Sequence, residues 1–285
     1  MKRCVLIVLT VLLACVGCAR QTPFTPSASA GGSASASGAV VIATTDDPAT
    51  KALAELYAQG LVAKGHTARI VEVSGDTNTL VSRLMAGELD LAPAYAWTAA
   101  QTLEVDSSDP SALVSDLARA LDGEVAVLQP SQVDHGWRYL AKAPGHALSE
   151  LTGTDRVVGP AAWLKAPDGP EGLATIYGKR PKVETVDDSA ARAEQVRAGA
   201  IGVFEGTDPA AADLQAVEDP LGMVASDPQV ALLRTELSSD DTVLDVVQQL
   251  HGKLDNAALM SMRSRAATIG LTEAVAEWLK ANPLT

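Results

Sequence analysis

VSGDTNTLVSRLMAGELDLAPAYAWT, residues 73–98, is the stretch whose pattern decides the fold. Thr77 or Thr79 can cap the start of a helix, because a side-chain hydroxyl satisfies backbone donors that lack partners. Gly87 marks the end of that helix, since glycine adopts the left-handed conformation at little cost. Between these positions four apolar residues recur at helical spacing and predict one buried face: Leu80, Val81, Leu84 and Met85.

A short strand is predicted directly after this helix. Leu89, Leu91 and Pro93 alternate with polar or small residues, which is typical of a strand. We expect the strand to present Tyr95 and Trp97 at its carboxyl end. Ligands of open α/β sheets bind beyond the carboxyl ends of strands, so the pattern predicts an aromatic pair at a cleft.

A second stretch repeats this helix–glycine–strand pattern. ARAEQVRAGAIGVFEGTD, residues 191–208, combines a helical pattern with Gly199 and a short apolar run at 201–204. LMAGELDL at 84–91 aligns without gaps on VRAGAIGV at 196–203. One interpretation is a chance match, because Ala-Gly pairs are common in this chain. The other is two similar lobes, each presenting one strand end to a shared cleft.

Composition limits the function. The chain has 285 residues, of which 47% are hydrophobic and 20% charged, which suits one or two globular domains. Its formal net charge is −13, and the part after residue 38 carries about −16 because the first 38 residues contain three bases and no acid. Nucleic-acid binding requires a basic face, so we predict no nucleic-acid partner. Solubility is the simplest explanation for most of these charges.

The sequence contains no recognised catalytic, metal-binding or nucleotide-binding motif. Cys4, Cys15 and Cys18 all precede the predicted folded region, which therefore contains no thiol nucleophile and no cysteine metal site. The four histidines show no recognised metal-ligand spacing, and no GxSxG, P-loop or GxGxxG motif occurs. These observations predict a protein that is not an enzyme and that uses no cofactor and no metal.

The N-terminus has the pattern of an exported lipoprotein. Residues 1–18 combine early basic residues with an apolar run that is too short for a typical membrane span. The end of this signal peptide resembles the lipobox of bacterial lipoproteins, at Cys15 and again at Cys18. An ordinary secretory signal is the alternative. Lipidation would anchor the protein outside the cell membrane, and the Ser/Ala/Gly/Pro-rich residues 19–38 predict a flexible linker.

The remaining chain alternates strands and helices, which indicates an α/β fold with mainly parallel sheets. An acidic cap before a proline, Asp46-Asp47-Pro48, begins the first helix. The other predicted strands are 39–44, 68–73 and 124–128, and the other predicted helices are 111–121, 242–254 and 271–280.

Six motifs, in order, resemble the osmoprotectant (glycine betaine, carnitine, choline) substrate-binding proteins of ABC transporters. Together they cover about residues 40–283. They are VIATTDDPATKALAELYAQ at 41–59, GELDLAPAY at 87–95, PDGPEGL at 167–173 with YG at 177–178, TDP at 207–209, VEDPLG at 217–222 and VAEWLK at 275–280.

This resemblance implies a type II periplasmic-binding-protein fold, in which two α/β lobes close on a ligand. Lobe one is expected at 39–130 and 224–285, lobe two at 131–223, and the two crossings near residues 130 and 223–229. The implied function is that of an extracytoplasmic, monomeric solute-binding protein that delivers a quaternary amine to an ABC permease. A sensor or co-receptor of the same fold, a binder of another amine and an enzyme are the alternatives.

The family holds a quaternary ammonium in a cage of aromatic rings by cation–π attraction. In this chain Tyr95 occupies a cage position, Trp137 lies on or next to another, and Trp97 can add a wall where the family has glycine. Trp163 and Trp278 are predicted to be core residues. The candidate ligand-binding residues are Tyr95, Trp97, Trp137, Thr45, Asp46, Asp134, Phe204, Glu205, Asp208 and Asp227.

Two cations that the family uses are replaced in this chain. Thr45 stands in place of a lysine, and Ala166 in place of an arginine; we expect the neighbouring Lys165 to point elsewhere. Two carboxylates, Glu205 and Asp227, stand where the family has aromatic residues or glutamine.

A ligand carboxylate buried in such a cleft would lack a paired cation, which is costly. The sequence therefore predicts a preference for a cationic solute such as choline over glycine betaine. The alternative is a betaine held by backbone donors and by hydroxyls such as those of Thr45 and Thr77.

Overall fold

The computed structural model describes residues 38–107, 111–121 and 123–285. The predicted signal peptide, the linker as far as residue 37, and the candidate lipidation sites Cys15 and Cys18 lie outside these residues. No helix in the described ranges combines the length and the apolar character that a membrane span requires.

The described ranges contain ten strands and nine α-helices. The strands are β1 (Ala39–Thr44), β2 (Thr67–Glu72), β3 (Leu91–Tyr95), β4 (Val125–Val127), β5 (Trp137–Ala141), β6 (Arg156–Gly159), β7 (Lys182–Thr185), β8 (Ile201–Glu205), β9 (Gln215–Ala216) and β10 (Gln229–Arg234). The helices are α1 (Pro48–Ala63), α2 (Thr77–Met85), α3 (Ala96–Thr102), α4 (Leu113–Ala120), α5 (Pro170–Ile176), α6 (Ser189–Arg197), α7 (Asp241–Lys253), α8 (Asn256–Ile269) and α9 (Leu271–Ala281).

The strands form two five-stranded sheets with the same pattern of connections. The first sheet has the order β2-β1-β3-β10-β4, and the second has the order β7-β6-β8-β5-β9. In the first, β1 pairs parallel with β2 and β3, and β10 pairs antiparallel with β3 and β4. In the second, β6 pairs parallel with β7 and β8, and β5 pairs antiparallel with β8 and β9. The molecule is therefore α/β with two lobes, and β3 and β8 hold equivalent central positions.

Two segments connect the sheets, one between β4 and β5 and one between β9 and β10. They run side by side at an antiparallel bridge between Asp134 and Pro228. The lobe boundaries at residues 130 and 223 fall within these segments, and their exact positions stay predictions.

Local sequence explains the start of the first lobe. Strand β1 is a buried β-branched and alanine run that ends at Thr44. The Asp47 carboxylate then caps helix α1 by accepting hydrogen bonds from the backbone N–H groups of Ala49 and Thr50. Pro48 is the first helical residue, where its missing N–H costs nothing. The cap positions Asp47 beyond the carboxyl end of β1.

Helix α2 and strand β3 differ from the prediction in three details. Asp76, not a threonine, caps α2 by accepting from Thr79 N. Met85 is 52% exposed, so the buried face of α2 ends at Leu84. Trp97 lies in α3 and not in the strand, because β3 ends at Tyr95 and the Asp227 carboxylate accepts the N–H of Trp97.

Each sheet is covered on both faces by apolar side chains. In the first lobe, α1, α7, α8 and α9 cover one face and α2, α3 and α4 the other. In the second lobe, Trp163 is fully buried and its ring meets Tyr139 edge to face, with the centroids 5.9 Å apart. Trp278 is partly buried against the first lobe's core. Both tryptophans are thus packing residues, as predicted.

Candidate functional site

Two adjoining cavities lie where the carboxyl ends of β3 and β8 meet. The tryptophan cavity, of about 340 Å³, is lined by Trp97, Thr98, Gln101, His135, Gly136, Trp137, Ala162, Lys165, Ala166, Pro167, Asp168, Glu205, Ala225 and Asp227. The tyrosine cavity, of about 270 Å³, is lined by Thr45, Asp47, Thr50, Gly75, Asp76, Thr77, Leu80, Pro93, Ala94, Tyr95, Thr98, Thr102, His135 and Glu205. His135, Glu205 and Thr98 line both cavities, so the two form one candidate site with contributions from both lobes.

Trp137 and Glu205 form a cross-strand pair. They are direct partners in the antiparallel pairing of β5 and β8, and directly opposite residues share one face of a sheet. Both side chains line the tryptophan cavity together with Trp97. This wall therefore combines two partly exposed indole rings with a carboxylate.

Tyr95 is largely enclosed at the end of β3. The residue is 8% exposed, and its ring stacks on His135 with a centroid separation of 4.1 Å and an interplanar angle of 8°. Burial raises the pKa of the hydroxyl, and the charges of Asp47 and Glu205 raise it further. The hydroxyl has no hydrogen-bond partner in the described part of the chain. Tyr95 thus supplies the site with a buried, unpaired hydroxyl and little free ring face.

His135 is one of the lining residues that the sequence analysis did not include among its candidates, as are Asp47, Lys165 and Asp168. Its Nδ1 lies 2.9 Å from Thr207 Oγ1, and its Nε2 lies 3.8 Å from Glu205 Oε1. One ligand atom each from Asp47, His135 and Glu205 lie within 4.8 Å of one another. The only sequence signal for His135 is its position two residues before Trp137.

Asp227 lines the tryptophan cavity, but both of its carboxylate oxygens accept hydrogen bonds from helix α3. Oδ1 accepts from Trp97 N at 2.8 Å and Thr98 N at 3.3 Å, and Oδ2 accepts from Thr98 Oγ1 at 2.6 Å. Burial raises the pKa of the carboxyl, against the lowering effect of the Thr98 hydrogen bonds. Asp227 therefore caps helix α3 from a distant segment.

Lys165 faces the site, contrary to the prediction. It is exposed and lines the tryptophan cavity beside Ala166. A short 3₁₀ helix at Trp163–Lys165 turns the chain so that residues 162 and 165–168 all reach the lining. Among the described lining residues Lys165 is the one lysine or arginine.

Thr45 lines the tyrosine cavity, whereas two predicted acids lie outside both linings. Asp46 is exposed at the turn before α1. Asp134 holds the connecting segments together: it accepts from the backbone N–H groups of Gly136 and Asp227 and from Ser226 Oγ, and it pairs with Arg138 at 2.6 Å. The structure thus gives Asp134 a role in joining the lobes.

Phe204 and Asp208 also lie outside the two linings. Phe204 is fully buried, and the guanidinium carbon of Arg192 lies 4.5 Å from its ring centroid. Asp208 forms a buried ion pair with Arg192 at 3.6 Å and accepts from Ala210 N. Successive residues of a strand point to opposite faces, so Glu205 reaches the cavity while Phe204 packs in the core.

Comparison with known proteins agrees with this architecture. The family model described as the substrate binding domain of an ABC-type glycine betaine transport system matches residues 38–281. No curated protein matches the sequence significantly.

Solved structures share the fold at low identity. Apo YehZ from Escherichia coli is 19% identical with a TM-score of 0.71, covering 87% of this chain and 99% of that one. A glycine betaine/carnitine/choline ABC transporter protein is 14% identical with a TM-score of 0.75, covering 85% and 98%. A choline-binding protein in complex with choline is 15% identical with a TM-score of 0.52, covering 86% and 89%. These matches identify the two-lobed fold as that of periplasmic binding proteins.

The family match covers most of the chain, and the strand ends meet at a cleft between two lobes with the same topology. The chain therefore belongs to the family of substrate-binding domains of ABC-type glycine betaine transport systems.

Proposed function

We propose that this protein is the extracytoplasmic binding component of an ABC importer and that its preferred solute is a cationic amine of the choline type. The observation that carries the proposal is the Trp137–Glu205 pair in the wall that also contains Trp97. A quaternary ammonium is attracted to indole faces by about 0.5–2 kcal/mol per ring contact. An adjacent carboxylate neutralises its charge.

The balance of charges in the site supports the same choice. Glu205, Asp47 and Asp227 line the two cavities, whereas Lys165, the one lysine or arginine among the described lining residues, is exposed. A solute carboxylate would face these acids and would leave a charge poorly paired in a closed cleft. A cation without a carboxylate would instead be attracted by these acids, and no solute charge would remain unpaired.

Calorimetric titration of the full chain with choline and with glycine betaine tests this proposal. We expect choline to bind more tightly. We expect Glu205→Gln to weaken choline binding about 10-fold, equivalent to roughly 1.4 kcal/mol, and to leave betaine binding unchanged or stronger. Trp137→Ala should weaken both ligands, because both carry the quaternary ammonium.

Glu184→Gln is the matched control, because Glu184 is an exposed acid of the same lobe that pairs with Arg156 outside the cavities. It should change neither affinity. Tighter binding of betaine than of choline, with no effect of Glu205→Gln, would contradict the cationic preference.

The proposed location is outside the cell membrane, with a lipid anchor at Cys15 or Cys18. The support is the signal-peptide pattern of residues 1–18 and its two lipobox-like ends. We expect the native chain to fractionate with membranes and the double variant Cys15→Ser/Cys18→Ser to be released. A double variant that stays with the membranes would exclude the anchor.

A further inference from the structure

Three potential metal ligands converge where the tyrosine and tryptophan cavities join. They are the Asp47 carboxylate, the His135 imidazole and the Glu205 carboxylate, and one ligand atom of each lies within 4.8 Å of the other two. Asp47 follows β1 of the first lobe, Glu205 ends β8 of the second, and His135 belongs to a connecting segment. We propose that these three side chains form a binding site for a divalent transition-metal ion of the zinc class.

The spacing of these ligand atoms is wider than in a zinc site by an amount that side-chain movement can remove. Tetrahedral ligands about 2.1 Å from zinc lie about 3.4 Å apart. His135 Nε2 and Glu205 Oε1 are 3.8 Å apart, near this spacing. The 4.8 Å limit for the group means that side-chain shifts of roughly 1 Å bring all three atoms onto one ion.

Each ligand has a free lone pair for the ion. The Asp47 oxygens each accept one backbone N–H of helix α1 and retain a second acceptor position. No group among the described residues donates a hydrogen bond to the Glu205 carboxylate, and the distance from this carboxylate to His135 Nε2 is longer than a hydrogen bond. The His135 tautomer that donates from Nδ1 to Thr207 presents its Nε2 lone pair to the two carboxylates.

The surroundings of His135 resemble the support that metal-binding histidines have. A metal-ligating imidazole almost always hydrogen-bonds through its other nitrogen to a fixed partner. Thr207 is that partner here, and it is fully buried and accepts from Arg263 as well. Stacking on Tyr95 fixes the plane of the ring.

A second observation at the same place also points to a missing partner. The Tyr95 hydroxyl lines the tyrosine cavity with Asp47, His135 and Glu205, and it is buried without a hydrogen-bond partner in the described part of the chain. A buried polar group normally has a partner, which a metal-bound water could provide.

Imidazole with two carboxylates favours zinc and similar ions over Mg²⁺ or Ca²⁺, which prefer all-oxygen sites.

Zinc titration by calorimetry and equilibrium dialysis tests the site. The protein is the full chain with Cys4, Cys15 and Cys18 replaced by Ser, which removes thiolates as competing ligands. We expect one Zn²⁺ per chain, no displacement by excess Mg²⁺, and a Co²⁺ form with the absorption of a tetrahedral site. His135→Gln and Glu205→Gln should each weaken zinc binding at least about 10-fold, since even outer-shell partners change metal affinity by 10–100-fold.

His66→Ala is the matched control, because His66 Nε2 also lies 3.8 Å from a carboxylate, that of Asp240, but without a second acid in the cluster. It should leave zinc binding unchanged. Absence of stoichiometric binding, equal zinc affinity in wild type, His135→Gln and Glu205→Gln, or a loss on His66→Ala would each overturn the proposal. Glu205 belongs to both proposed sites, so zinc and choline should compete. Choline titration of the zinc-free protein measures amine binding with Glu205 unoccupied, so failure of zinc binding and failure of choline binding are distinguishable.

Discussion

Helix α2, Gly87 and strand β3 of the first lobe correspond to helix α6, Gly199 and strand β8 of the second. Both glycines have positive φ, +70° and +107°, at the turn from helix to strand. Both strands lie in the centre of their sheet, between one parallel and one antiparallel neighbour. The gapless match of the two sequences thus accompanies an equivalent place in the topology.

The last residues of the two strands are chemically different. Strand β3 ends in Tyr95, which is buried and stacked on His135, whereas β8 ends in Glu205, whose side chain is 40% exposed. The shared topology therefore determines where side chains from the two lobes meet. The last residue of each strand determines what the meeting point can bind, here an aromatic hydroxyl from one lobe and an acid from the other.

The two helix–glycine–strand units also differ in how their buried residues are packed. The alignment pairs Asp90 with Gly202. Asp90 is buried and accepts hydrogen bonds from Val41 N and Arg234 Nε, both at 2.8 Å. A Cβ at Gly202 would lie 2.3 Å from Val196 Cγ2 and 2.5 Å from Phe204 Cε2. The first lobe is thus stabilised at this position by a buried ion pair, and the second by close apolar packing.

Asp90→Ala should have the largest effect on stability. The change leaves the largely buried Arg234 without its main partner and Val41 N without an acceptor, which should lower the free energy of unfolding by about 3–5 kcal/mol. Urea unfolding measures this loss. Glu236→Ala is the control: Glu236 also pairs with Arg234, at 3.4 Å, but is 72% exposed, so its loss should cost less than about 1 kcal/mol. Equal effects of the two changes would contradict the importance of the buried pair.

Gly202→Ala tests the packing at the equivalent position. The added methyl group meets Val196 and Phe204 well inside van der Waals contact, so we expect a loss of about 1–3 kcal/mol in urea unfolding. Gly252→Ala is the matched control, because a Cβ there meets nothing within 4 Å and the residue lies in helix α7. It should stabilise the protein by up to about 1 kcal/mol through helix propensity. A neutral Gly202→Ala variant would show that the second lobe can adjust at this position.

Much of the fold was predictable because its signals are local. The β-branched run of β1, the Asp47-Pro48 helix start and the glycine after α2 each act within a few residues. The end of β3 was not predictable in this way. It depends on Asp227, 130 residues from Trp97 in the sequence, which caps the helix that follows the strand.

The candidate site was predictable only in part. Tyr95 and Glu205 are accessible to sequence reasoning because they follow apolar runs at strand ends. Phe204, which the sequence analysis placed beside Glu205 in the site, is fully buried outside both linings, since a strand directs neighbouring residues to opposite faces. His135 was missed because its setting depends on Tyr95 and on Thr207, 72 residues away.

Substitutions of Asp227 should give the smallest change in stability among the tests that compare the lobes. Helix α3, which follows β3, is capped by Asp227 from a distant segment, whereas the 3₁₀ helix after β8 is capped by Asp208 at its own start. Asp227→Ala removes the cap and should cost about 1–2 kcal/mol. Asp227→Asn keeps an acceptor oxygen for the N–H groups of Trp97 and Thr98, so we expect an effect within about 0.5 kcal/mol near neutral pH.

The pH dependence of the Asp227→Asn variant gives the sharper readout. Burial raises the pKa of Asp227 in the folded protein, so the folded state binds more protons than the unfolded state between the two pKa values. The wild type therefore loses stability from this group as pH rises from below the unfolded pKa, about 3.9, through the folded value. The amide that replaces this carboxyl cannot ionise, so the stability of the variant relative to wild type should increase from pH 3 to pH 7 in urea unfolding. A relative stability that decreases over this range would mean that the carboxylate form is favoured by the fold, and that the helix N-terminus and His135 outweigh burial.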